Sequence, residues 1–314
     1  MQFWAMIIDS FRESLDRKIF WVIIAISVFV ALAMVSVGFE GDRVTMLFGA
    51  VDLETDAYSP LSSLGRTKIV GLVVFLLAST VLGWIGVLLS IVATGSVFPS
   101  MMDRGSIDVL LGKPLSRSTL FLYKYLASMV FVLVQATVFV GLTFLVMGLR
   151  WHVWAPGYLL AIPLAVLLFS YVYCVSVLVA VRTGSTVAAV LLSIGAWTLF
   201  ALVHQAPAAF EAIPMLKERT TLYAAVRVIS WIPPKTGDFP YIVSRWSGGG
   251  TSIDALPAGL MRSANAYTDQ QIEDSRRYEA GLVAANPWYS IGSSLLFEAV
   301  IVGWGMFAFA RKDF

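Results

Sequence analysis

Few side chains in this sequence are equipped for chemistry, and they are widely spaced. Glu298 stands alone in the apolar run "SSLLFEAVIVGWG". A charge at the centre of a membrane helix costs about 2.5 kcal/mol or more, so it is expected to face protein or water rather than lipid. Ser294, four residues earlier, shares its helix face, and Gln135 is the candidate partner from another apolar run at similar depth. His152 and His204 have no Cys or carboxylate at ligand spacing, so no metal site is expected. Cys174 is the only cysteine, which rules out an intrachain disulfide. Gly112-Lys113 imitates a phosphate-binding loop, but that loop needs G-x-x-x-x-G-K-[ST]. Ile107 occupies the place of its first glycine, and Pro114 that of the magnesium-binding hydroxyl. No Ser/His/Asp arrangement or carboxylate pair suggests an enzyme. No cofactor is expected in this chain.

These residues are set in a very apolar chain. It has 314 residues, of which 58% are hydrophobic and 13% charged. Its mean hydropathy is +0.81. Soluble domains carry about 25% charged residues, so the composition indicates a polytopic membrane protein. A net charge of +2 is too small to suggest a nucleic-acid partner. A spanning helix needs about 20 apolar residues. Six runs qualify: 19–37, 69–97, 125–149, 158–181, 185–203 and 288–310. The first exceeds the roughly 7–15 residues of a signal-peptide core and reads as a retained span. The predicted fold class is an all-α bundle of six spans, with spans 1–5 over 19–203 and span 6 with its tail over 288–314.

Lys and Arg set the orientation. Arg12, Arg17, Lys18, Arg104, Lys113, Arg117, Lys124, Arg182, Arg311 and Lys312 fall on one side. The short loops of the other side hold Arg43, Arg66, Lys68 and Arg150. Both termini are therefore expected in the cytoplasm. Residues 1–18 place Phe3, Ile7, Phe11 and Leu15 on one face, the pattern of an amphipathic helix lying in the membrane interface. Residues 204–287 form a long external loop with eight acids and eight bases, a neutral balance that argues against a trap for charged substrates. Its "TLYAAVRVISWIPP" is apolar but too short to span, as an interfacial or re-entrant segment would be. "TDQQIEDSRRYEAGL" has Thr268 and Gln271 at capping-box spacing.

Between spans 2 and 3, "PSMMDRGSIDVLLGKPLSRSTLFLYK" interrupts the apolar sequence with six charges. Ser100 is positioned to cap a helix. Ile107, Leu110 and Leu111 fall on one face, away from Asp103, Arg104 and Asp108. Gly112 and Pro114 end the helix, and Ser116 caps span 3. The spacing predicts a short amphipathic helix over 100–112.

This stretch resembles the signature of type-2 ABC transporter permeases. Asp103, Arg104, Gly105, Ser106, Ile107, Asp108, Leu110, Leu111, Pro114, Leu115, Ser116, Arg117 and Lys124 match it in order. "FRESLDRKIFW" and "FARKDF" are similar to the branch serving nitrous-oxide reductase maturation and gliding machinery. The resemblance implies a permease in the bacterial inner membrane that pairs with a second copy or paralogue. Each permease would dock on a soluble ABC ATPase, which holds ATP and magnesium. Asp103 to Asp108 and Leu111 would form the coupling helix, and an exporter is the implied direction. The resemblance also implies that spans 2 and 5 line the interface and pathway. Their small or polar residues Gly83, Gly86, Ser90, Ser193 and Gly195, together with Gln135 and Glu298, are the candidate pathway or interface residues. Membrane lipid is a further expected partner of the chain. Two other readings fit the composition: a membrane anchor of an ATPase-driven assembly that moves no solute, and an integral membrane enzyme.

Overall fold

The computed structural model describes residues 18–40, 43–46, 51–54, 63–103, 105, 116–212, 225–226, 228–247 and 286–312. The 1–17 stretch of the expected interfacial helix and the capping-box stretch near Thr268 lie outside the described residues. Six helices are long and apolar enough to cross a membrane: Lys18–Val35, Val70–Met101, Arg117–Arg150, Pro156–Thr183, Thr186–His204 and Pro287–Ala310. They are spans 1 to 6. The membrane part is thus helical, because only helices satisfy every backbone group without water or a closed sheet.

Two helix starts are capped as their sequences direct. Ser116 Oγ accepts from the amide of Thr119 at 3.1 Å. Asn286 Oδ1 accepts from the amide of Trp288 at 3.0 Å, with Pro287 at the first helical position. Ser100 does not cap, contrary to the sequence expectation. It lies inside the helix Val97–Met101, its hydroxyl donating to Val97 O at 3.3 Å. The helical run of span 2 therefore continues to Met101 and turns at Asp103. At about 1.5 Å per residue, spans 2 and 3 are near 50 Å long. Both outreach a hydrocarbon core of about 30 Å.

Span 4 is the axis of the bundle. In its apolar window 72% of residues are buried, against 17% for spans 5 and 6. It packs against spans 3, 5 and 6, and Tyr173 stacks on both Phe169 and Tyr125. The end of the bundle carrying the turn between spans 2 and 3 is here the turn end, and the opposite one the loop end. At the loop end the connection between spans 1 and 2 adds a small antiparallel sheet, β1 (Gly38–Glu40), β2 (Arg43–Met46) and β3 (Val51–Glu54), in the order β1-β2-β3. It follows a clasp in which Trp151 Nε1 donates to Val37 O at 3.0 Å.

Over 228–247 the long loop before span 6 turns inward. The short helix Phe239–Trp246 packs against spans 2 and 4, burying Phe239, Ile242 and Val243. The amide of Lys235 donates to Ser294 Oγ at 3.0 Å. Ser294 lies seven residues inside span 6, so the turn dips about 10 Å below its end. Gly157 makes the fit possible: a Cβ there would lie 1.8 Å from Trp246 O. The re-entrant element is thus Lys235–Trp246, one step beyond the apolar stretch that the sequence marked.

Candidate functional site

Glu298 sits midway along span 6 and faces the bundle. Tyr125 Oη donates to its Oε1 and Ser170 Oγ to its Oε2, both at 2.8 Å. One carboxylate thereby joins spans 3, 4 and 6. Neither expected partner is involved. Ser294 Oγ donates to Ser290 O and accepts from Lys235, as its position one turn nearer the loop end allows. Gln135 points to another seam of the bundle, where it meets Ser90 Oγ at 3.5 Å.

Gly86, Ser90 and Gln135 line one narrow groove of about 40 Å³ between spans 1, 2 and 3. Among the described residues the amide nitrogen of Gln135 has no hydrogen-bond partner, although the residue is only 3% exposed. Turning the amide over would only move the deficit to its oxygen.

Span 2 changes its winding next to this groove. Leu77–Gly86 is a π-helix between the α-helical stretches Ser63–Leu76 and Val87–Thr94. The i→i+5 winding brings a carbonyl under each of its glycines. A Cβ at Gly83 would lie 2.9 Å from Ala78 O, and one at Gly86 would lie 3.0 Å from Val81 O. These glycines permit the wide turn of their own helix, a role distinct from the close approach of neighbouring helices expected from the sequence. π-Helical winding is rare, and its usual single-turn form is frequent at functional sites.

The π-helix forms one wall of a cavity of about 280 Å³ at the loop end. Trp84 faces Trp197 of span 5, with ring centroids 4.7 Å apart. Ser79, His204 and Thr236 bring polar groups to the lining, and Phe75, Phe239 and Tyr241 bring further rings. Asp238 lies in the chain between the lining residues Gly237 and Phe239. Ser290 Oγ donates to its Oδ2 at 2.6 Å, while His204 Nε2 lies 2.9 Å from Oδ1. The imidazole N–H is not aligned with that oxygen, so the contact does not meet hydrogen-bond geometry. Lys235 reaches Ser293 Oγ with its ammonium at 2.9 Å and lies over the Tyr289 ring. Partial burial lowers the Lys235 pKa, and the Asp238 carboxylate opposes that shift. The re-entrant turn thus links spans 5 and 6: Asp238 faces His204 on one side and binds Ser290 on the other, and Lys235 reaches Ser293.

The other candidates scatter. Ser193 is buried, its hydroxyl donating to Val190 O, while Gly195 faces outward, where a Cβ would meet no atom within 4 Å. His152 adopts φ 54 in the turn after span 3, a conformation His tolerates better than most residues. At the turn end Asp103 and Gly105 are exposed. Arg104, Ser106, Ile107, Asp108 and Leu111 lie outside the described residues. Among the described residues no three His, Cys, Asp or Glu side chains gather as metal ligands would.

Sequence reasoning missed Tyr125, Ser170, Asp238, Lys235 and Ser290. Tyr and Ser are common in apolar helices and carry no signal of their own. Asp238 did offer one: an acid followed by "FPYIV", a proline-started apolar helix too short to span. No protein-family model matches the chain, and no curated protein is significantly similar to it.

Proposed function

We propose that this chain is the permease subunit of an ABC exporter of the type-2 class, working with a separate ATPase. The observation that carries the reading is the run from Asp103 to Lys124, which resembles that class residue by residue and joins the two longest helices of the bundle. Exposed Asp103 and Gly105 stand at the tip of span 2, where a soluble partner has access. Met101 and Phe98 behind them are buried, so a force on this turn would act on a segment packed against the bundle. An ATPase that closes on ATP and magnesium would then tilt spans 2 and 3 as a unit. The cavity beside the π-helix, between spans 2 and 5, is the candidate pathway, with a second permease copy or paralogue completing it. On this reading both termini are cytoplasmic and the membrane is the bacterial inner membrane.

The test is co-purification with the ATPase and ATP-driven flux in vesicles. Arg104→Glu should abolish ATPase association without changing membrane insertion. Unchanged association and unchanged stimulated ATP hydrolysis would refute the coupling role. Full association without flux of any solute would identify a membrane anchor instead.

A further inference from the structure

At the turn end, spans 4 and 6 separate to leave an open groove of about 350 Å³. Three cations line it: Arg182 at the end of span 4, and Arg311 and Lys312 just past span 6. Among the described residues none of the three has a carboxylate within ion-pair distance. Asp313, next in the sequence and outside the described residues, would leave a positive excess even facing the groove.

The cations are held rather than loose. The Arg182 guanidinium lies over the Trp304 ring, 5.2 Å from its centroid, and that of Arg311 over Phe307 at 4.1 Å. The ring contact holds each guanidinium in place while its N–H donors can still bind a planar or tetrahedral oxyanion. Lys312 Nζ donates to Val181 O at 2.7 Å, which anchors it while leaving further donors. Above the groove, Leu296, Val300, Trp304 and Phe307 recur at helical spacing, and all four are exposed. Exposed apolar side chains on a spanning helix are lipid-facing unless a partner covers them. The groove therefore combines three phosphate-binding groups with an apolar track leading away from them into the membrane.

The geometry points to a site for the phosphate headgroup of an anionic phospholipid, with an acyl chain lying along Leu296, Val300 and Trp304. Basic pockets between spanning helices take such headgroups, and Arg binds phosphate through paired hydrogen bonds. A free phosphate would use the same cations but not the apolar track. The site stands apart from the pathway and does not depend on transport. It does touch the coupling region, because Lys312 Nζ also lies 3.8 Å from Met102 Sδ.

The test is native mass spectrometry of the full chain in micelles, titrated with phosphatidylglycerol, phosphatidylcholine or inorganic phosphate. One phosphatidylglycerol should be retained in preference to phosphatidylcholine. Each cation near the surface contributes about fivefold, so Arg311→Gln should weaken retention about fivefold and Arg182→Gln/Arg311→Gln about 30-fold. Arg311 is exposed, so the single variant reads binding without threatening the fold. Arg150→Gln, at the opposite end of the bundle, should change nothing. Equal retention of the two lipids, or equal losses at Arg150 and Arg311, would overturn the site. Displacement of phosphatidylglycerol by millimolar inorganic phosphate would overturn the lipid assignment in favour of a free anion.

Discussion

Replacing Glu298 by Leu removes a carboxylate that joins three spans, yet the structure limits the damage. Interhelical hydrogen bonds in membranes average about 0.6 kcal/mol and reach about 1.7, so two of them are worth about 1–3 kcal/mol. Both donors have a second acceptor already in reach. Tyr125 Oη lies 3.3 Å from Ser170 O, and Ser170 Oγ lies 2.8 Å from Leu167 O. Neither hydroxyl is orphaned in the Leu variant, which places the loss at the low end, about 1 kcal/mol. The converse change is costlier. Tyr125→Phe with Ser170→Ala leaves the carboxylate at mid-span without its two donors, at about 3 kcal/mol. Glu298→Gln keeps shape and an acceptor and should stay within about 0.5 kcal/mol of the native chain. The assay is denaturant titration in mixed micelles followed by tryptophan fluorescence. A gap of about 2 kcal/mol between the Leu and the double variant is about 30-fold in the unfolding equilibrium. The reasoning fails if the Leu variant is the less stable of the two, or if all three variants unfold together. Where flux is measurable, the Leu variant should also transport less than the Gln variant.

The depressed pKa of Lys235 gives the docked turn a pH dependence. The folded chain releases that proton more readily than the unfolded one, so stability should rise as pH climbs through the lowered pKa toward the ordinary 10.5. Comparing fluorescence-detected melting of native and Lys235→Met protein at neutral and alkaline pH isolates this rise, which the variant should lack. Gly83→Ala pushes a methyl against Ala78 O and should cost about 1–3 kcal/mol, whereas Gly303→Ala, with open space beside it, should be nearly neutral. Equal melting temperatures for these two variants would show that the π-helix tolerates a side chain. A cysteine at Ser247 in a Cys174→Ala background should react with an impermeant thiol reagent from outside, and one at Gly105 only from inside. The reverse pattern would invert the orientation.

The six spans were legible because uninterrupted apolar sequence of spanning length has few other uses. Their ends were less so: span 3 begins at Arg117, eight residues before the apolar run expected at Tyr125, because a helix capped at Ser116 can extend into water. The isolation of Glu298 announced that it must find partners, but not which ones. Tyr125 and Gln135 lie ten residues, about 15 Å, apart on span 3, and the sequence did not fix how far span 3 is shifted along span 6 or how it is rotated, which together decide the partner. The glycines of span 2 read as packing residues because their spacing is the same whether they admit a neighbour or a wider turn. Asp238 was hidden by the neutrality of its loop, in which any acid has a base available to balance it.

Span 6 is fastened at three heights. At the turn end Arg117 Nη1 donates to Ala310 O at 3.3 Å and Lys312 O at 2.8 Å. At the middle Glu298 binds spans 3 and 4, and at the loop end Ser290 and Ser294 hold Asp238 and Lys235. A helix of 24 residues is a stiff rod of about 36 Å. It is pinned to the base of span 3 at one end and to the re-entrant turn at the other. On the proposed function it would be a connecting rod, by which a displacement of Arg117 at one end of the bundle reaches the turn that lines the aromatic cavity at the other.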